Sequence, residues 1–164
     1  IGFAQHQHIL ATLRVLARRG VRHAIIDSLM CLDVTSTDWE AQRQFATALV
    51  STARRSGVHI HLVAHPRKLV SSDQAPDIND VAGSADLGRL ADNVIFVRRS
   101  ANEAAIGSEA TSMAISIRKQ RHGTGATGEV TGWFHRRFRQ FHVDQFRREP
   151  IRYLPDAAYA APAG

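Results

Sequence analysis

Two short apolar runs, each ending abruptly in polar residues and separated by one long helical pattern, most constrain how this chain can fold. The first is Ala-Ile-Ile at 24–26, followed by Asp27 and Ser28. The second is Val-His-Ile-His-Leu-Val-Ala at 58–64, followed by His65, Pro66, Arg67 and Lys68. Both are too brief for a helix and read as buried strands. Between them, residues 37–56 place Phe45, Leu49 and Ala53 at i, i+4 and i+8, an apolar helical stripe. Ser36, Thr37 or Asp38 can cap its start, and Gly57 stops it. A strand–helix–strand crossover of this length gives parallel pairing, so the front half is α/β.

The rest of the chain extends that frame. Residues 8–19 form an amphipathic helix with Ile9, Leu13 and Leu16 on one face, and Gly20 at its C-cap. Residues 69–82 carry no apolar period and read as a loop, and 86–90 as one or two helical turns. Further strands are expected at 94–97 and 113–117, the latter turning through 123–128 (Gly-Thr-Gly-Ala-Thr-Gly) into 130–134. Short connections make this back half an antiparallel strand extension of the parallel sheet. Residues 1–150 are thus expected to form one folded domain, and 151–164 an Ala/Pro-rich frayed tail.

Composition narrows the function classes. The chain has 164 residues, 44% hydrophobic and 22% charged, as in ordinary globular domains. No apolar run approaches the roughly 20 residues that cross a bilayer, so no membrane partner is expected. Gln5, His6, Gln7 and His8 occupy the place where a signal peptide needs its apolar stretch. The single Cys31 excludes an internal disulfide and fits a reducing, cytoplasmic compartment; it is expected to be a small core residue. A net charge of +6 and a pI near 10.6 favour polyanionic partners. With no initiator Met at its start, the chain is expected to be a processed or excised piece.

In open α/β sheets, ligands gather at the carboxyl ends of the strands. Three strands deliver polar groups there: Asp27 and Ser28, His65 with Arg67 and Lys68, and Lys119 with Arg121. A carboxylate leaving a buried strand can hold Mg²⁺ through its water shell, because Mg²⁺ takes few direct protein ligands; Asp27 can equally be a turn-capping Asp. His65 can touch a terminal phosphate or be a satisfied structural His. His59 and His61 share a strand face and invite a metal reading with His65, against which stands the lack of a Cys or carboxylate at zinc spacing. Lys119 and Arg121, one residue apart on an extended chain, point the same way and can reach one phosphate, or form a basic hairpin on a solvated edge.

Four blocks then match, in order and spacing, those of the DnaB-type replicative DNA helicases. They are 23–29 (His-Ala-Ile-Ile-Asp-Ser-Leu), 59–68 (His-Ile-His-Leu-Val-Ala-His-Pro-Arg-Lys), 80–97 (a loop, a Gly-Ser turn and a short helix entering a strand) and 118–128 (Arg-Lys-Gln-Arg-His-Gly-Thr-Gly-Ala-Thr-Gly). The chain resembles the C-terminal part of that family's motor domain over roughly 9–143. Within the group it is similar to the phage primase–helicases and the mitochondrial helicase Twinkle.

The resemblance implies a partial RecA-like, P-loop NTPase fold in a homo-hexameric motor that translocates on single-stranded DNA during replication, using ATP and Mg²⁺, with a primase as a candidate partner. By it, Asp27 and Ser28 form the Walker B end and Asp27 organises Mg²⁺. His65 senses the phosphate. Lys119 and Arg121 act in trans as the arginine-finger pair on a neighbour's nucleotide. Arg67, Lys68, Gly83 and Ser84 belong to the loop that grips single-stranded DNA. The sequence departs from the family in having no G-x-x-x-x-G-K-[ST], and no strand before Ile25 to carry the catalytic Glu. The chain by itself is therefore expected to lack ATP affinity, as an excised part of a motor or a degenerate paralogue. The other readings are a different RecA- or RadA-like DNA-dependent ATPase, and a catalytically dead nucleic-acid-binding module.

Overall fold

The computed structural model describes residues 5–33, 38–66, 76–99, 110–123, 125–144 and 149–152. By contacts the chain divides into two compact units, 1–94 with 117–127, and 95–116 with 128–164. The fold is α/β, with a parallel two-stranded sheet and a four-stranded antiparallel one. The tail from 153 onward lies outside the described residues.

In the first unit, α1 (His6–Arg18) leads to β1 (His23–Ile26), and α2 (Trp39–Ser56) crosses to β2 (His59–Leu62). α1 ends in a Schellman closure. The Gly20 N–H donates to Ala17 O and the Val21 N–H to Leu16 O, with Gly20 in the left-handed region at φ +82°. Asp38 caps α2 by accepting from the Ala41 N–H at 2.9 Å, and Gly57 at φ +70° ends it. β1 and β2 pair in parallel with His23 opposite His59 and Ile26 opposite Leu62. The pairing continues past the formal strand ends: the Val63 N–H donates to Ile26 O and the Leu29 N–H to Val63 O.

One sheet face packs on the helices. Leu13, Phe45, Ala46, Leu49 and Leu87 are buried together with Leu29 and Leu32, and Ala24, Ile26, Ile60 and Leu62 pack against them. Phe45 is 1% exposed; truncating such a residue to Ala typically costs about 3–5 kcal/mol. The opposite face is open. Ile25, expected to be buried, is 73% exposed, because among the described residues α1 and α2 pack on the side to which it does not point. Cys31, expected in the core, is exposed too, lying in a 3-10 turn (Leu29–Cys31) that turns Leu29 inward and Cys31 outward.

After β2 come a second 3-10 turn (Ile78–Asp80) and α3 (Ala85–Leu90), then β3 (Asn93–Arg99), β4 (Ala110–Gln120), β5 (Gly128–His135) and β6 (Gln140–His142). These four strands form a sheet of their own in the order β3-β4-β5-β6, with β5 and β6 antiparallel and Phe134 opposite Phe141. Among the described residues the back half is the expected antiparallel arrangement, its strands pairing with one another. In the second unit, β4 turns small residues inward: Ala110, Ser112, Ala114 and Ser116 are buried. The Glu129 carboxylate accepts from the Ser116 hydroxyl and from Arg98 Nη2, tying β5 to β4 and β3.

Candidate functional site

Every candidate site residue that is described lies in the first unit. Parallel pairing sends β1 and β2 out on the same edge of their sheet, so Asp27 and Ser28 leave β1 beside Val63 as His65 leaves β2. Asp27 is exposed, and its carboxylate has no hydrogen-bond or ion-pair partner among the described residues. It does not cap a helix; the peptide linking it to Ser28 is cis. Ser28 is buried, its hydroxyl 4.0 Å from Cys31 Sγ. A single exposed carboxylate at a strand end fits the hard, largely hydrated Mg²⁺ ion.

His65 is exposed at its side chain and engaged at its main chain, where its carbonyl accepts from the Ala82 N–H at 2.9 Å. Pro66 and Val81 form an isolated antiparallel bridge next to it. The two feet of the intervening loop are thus joined. Arg67 and Lys68, the basic residues assigned to that loop, lie outside the described residues.

Past the bridge, the loop is built into the core. Asp77 and Asp80 make a reciprocal capping box around the 3-10 turn. Gly83 has φ +102°, and a Cβ there would run into Gln42 Oε1, so both backbone and neighbour favour glycine. Ser84 is buried and serves as the N-cap of α3, its hydroxyl accepting from the Asp86 N–H at 3.2 Å. These are positions for fixing the loop's exit.

Lys119, at the end of β4, and Arg121, just past it, are held against the end of α3. Lys119 Nζ donates to Gly88 O at 3.0 Å and Arg89 O at 2.6 Å, the last carbonyls of α3. Those carbonyls lack intrahelical partners and attract cations. Arg121 Nη2 donates to Arg89 O at 3.0 Å, and Nη1 to Asp92 Oδ1 at 3.1 Å. Burial first, then the neighbouring Arg121 charge, pulls the Lys119 ammonium below its ordinary pKa, while Asp92 opposes the shift. Alternation does place both cations on one side, as the spacing implied. Neither bonds to Asp27, Ser28 or His65. Sequence reasoning missed Asp92 and Gln42; the cue for Asp92 was its place immediately before a strand and after a helix whose end needs cations.

His23, His59 and His61 cluster on the open face of the parallel sheet. His23 Nδ1 lies 3.2 Å from His61 Nε2, and the His59 and His61 rings are 4.4 Å apart. Burial, then the charges of His59 and His23, pulls the His61 pKa down. Among the described residues no group of three His, Cys, Asp or Glu side chains is placed to hold a metal ion. Nor is any described helix long and apolar enough to cross a membrane.

Comparison with known proteins gives this geometry its family. Residues 4–143 match the family described as DnaB-like helicase C terminal domain. A Twinkle homolog protein, chloroplastic/mitochondrial, of Arabidopsis thaliana is 30% identical over 110 residues, 64% of this chain and 15% of that protein. Among solved structures, a DnaB-like replicative helicase described with its interactions with primase superposes with a TM-score of 0.66. It is 22% identical, over 80% of this chain and 33% of that one. A second solved structure, described as an ATPase domain, gives a TM-score of 0.69 at 22% identity, over 84% of this chain and 50% of that one. The chain thus spans half or less of the length of each of these relatives.

Proposed function

Since the chain belongs to the DnaB-like helicase C-terminal domain family, we propose that it supplies one part of a RecA-like, ATP-driven motor for single-stranded DNA. Its share is the Mg²⁺-organising strand end, the phosphate-sensing strand, the DNA loop and the arginine finger. In this reading Asp27 holds Mg²⁺ through water at its own subunit's nucleotide, and His65 faces the terminal phosphate. Bound ATP with Mg²⁺ supplies the phosphoryl group whose transfer to water drives movement. Lys119 and Arg121 bring positive charge to that group in the adjoining subunit of a homo-hexamer. Such a finger in trans is worth roughly 10³–10⁵ in rate in other NTPases. Arg67 and Lys68 grip phosphates of the strand, independent of sequence. A primase is a candidate partner, as it is for the DnaB-like helicase above.

The observation that carries this reading is the placement of the two cations. Arg121 is anchored at the far end of β4 on α3 and Asp92, without a bond to Asp27 or His65, and its side chain is 38% exposed. A guanidinium held to its own subunit on one side and open on the other is suited to reach a neighbour.

Mixed rings of the full-length motor test it. Asp27→Ala removes a subunit's own site and spares the finger it offers; Arg121→Ala does the reverse. Rings assembled from both kinds contain some interfaces with neither defect, and are expected to hydrolyse ATP far faster than either parent. Full activity of Arg121→Ala alone would overturn the finger assignment.

A further inference from the structure

Asp92 holds Arg121 twice. Its backbone carbonyl accepts the Arg121 N–H at 2.8 Å, and its carboxylate accepts from Arg121 Nη1 at 3.1 Å. The first bond fixes where the Arg121 Cα leaves β4; the second fixes the direction of the guanidinium. Arg89 O, at 3.0 Å from Nη2, supplies a third point. Three anchors on one residue leave little freedom in a side chain that ordinarily has much. Two terminal N–H groups are engaged by these bonds, and the guanidinium has five N–H donors in a fixed fork. The others make no hydrogen bond among the described residues and are of the kind that meets a planar anion.

The charges around Asp92 give its carboxylate a second task. Arg121 and Lys119 share Arg89 O as acceptor, which sets two cations close together. His122 Nε2 lies 3.6 Å from the same Asp92 oxygen. Arg89 stands on the same helix end. Among the described residues Asp92 is the carboxylate facing this cluster, and its charge offsets the repulsion between the two finger cations at their shared carbonyl. A half-exposed ion pair contributes little to global stability. Its consequence is orientation rather than folding energy.

We propose that Asp92 is a positioning residue for Arg121, aiming the finger before a neighbour's nucleotide is bound. The inference rests on the finger reading above, and adds that aim is set within the donating subunit by a residue that never touches the nucleotide. It also makes α3 part of the finger's mounting, since Gly88 and Arg89 carry the other anchors.

The test uses the full-length motor with Asp92→Ala, Asp92→Asn, Arg121→Ala and the Asp92→Ala/Arg121→Ala double variant. Misplacing a catalytic group by about 1 Å can cost on the order of 10²-fold. Asp92→Ala is therefore expected to lower kcat for ATP hydrolysis by roughly 10- to 100-fold with KM for ATP little changed. Asp92→Asn, which keeps an acceptor oxygen but no charge, falls between wild type and Asp92→Ala, and guards against a folding failure. The double variant should be no slower than Arg121→Ala, because both act through one group. In mixed rings Asp92→Ala should be complemented by Asp27→Ala subunits, a trans signature that general destabilisation does not produce. If Arg121→Ala is inactive while Asp92→Ala and Asp92→Asn turn over normally, the positioning role is overturned and the finger stands. An additive double variant overturns it as well. Full activity of Arg121→Ala overturns both.

Discussion

Gln42, in the first half of α2, accepts the Ser84 N–H on its Oε1 at 2.6 Å, joining the start of α3 to the core of the first unit across 42 residues of sequence. Gln42 is 2% exposed and Ser84 6%. A polar side chain so deeply buried holds its place through its partners. Removing it strands a donor that water cannot reach.

Gln42→Leu should therefore destabilise the chain by about 1–3 kcal/mol, the cost of leaving a buried N–H unmet. Gly83→Ala should cost a similar amount or more, because its methyl meets Gln42 Oε1 and its backbone is left-handed. In combination, Gln42→Ala with Gly83→Ala should cost less than the sum, since shortening Gln42 removes the collision and leaves the backbone strain. Urea unfolding followed by circular dichroism measures all of these, and strict additivity would refute the contact.

Acid should weaken the fold through His61. Its folded pKa is below the ordinary imidazole value of 6.5, so below that value the unfolded chain binds more protons than the native one. Stability then falls as pH drops through about 6.5. The other groups facing His61 are the imidazoles of His59 on β2 and His23 on β1, which disfavour its protonated form. His61→Asn should flatten the dependence of Tm on pH between about 7.5 and about 5. An unchanged slope in thermal melts would assign the acid sensitivity elsewhere.

On DNA, Arg67→Ala with Lys68→Ala in the full-length motor should weaken single-strand binding for every sequence. It should also reduce the slope of log K against log salt by roughly 0.7 for each phosphate no longer neutralised. Fluorescence anisotropy across a salt series reads both quantities. Weaker binding with the slope intact would mean that these residues do not meet phosphates.

The 164-residue chain itself should show no ATP binding by calorimetry, because its sequence contains no Gly-rich phosphate cradle followed by Lys and Ser or Thr. A micromolar site in the isolated chain would require the nucleotide to be held in a manner the family reading does not contain.

Much of this was legible in the residues. Asp38 and Gly57 bound α2 as caps, and the apolar stripe through Phe45 and Leu49 is buried as its spacing requires. The parallel crossover followed from strand–helix–strand order, and with it the placement of Asp27 and His65 on one sheet edge. Ile25 and Cys31 were misjudged for a common reason: hydrophobicity says that a residue can be buried, and only the elements packed on its side decide whether it is. β6 was missed because three residues, Gln140–His142, are too few to show a period. The partners of Lys119 escaped notice because they are backbone carbonyls, which every residue has and no motif encodes.

The bridge between Pro66 and Val81, with the His65–Ala82 hydrogen bond beside it, bears on how this region can vary over evolutionary time. The loop's ends are brought together by the folded core, so the segment between them is free to change length without moving β2 or α3. Doubling such a loop adds only about 0.6 kcal/mol of closure entropy. Insertions between 67 and 75 should accordingly be tolerated by the fold. Relatives can then differ in reach and charge there while the mounting of the finger stays as it is.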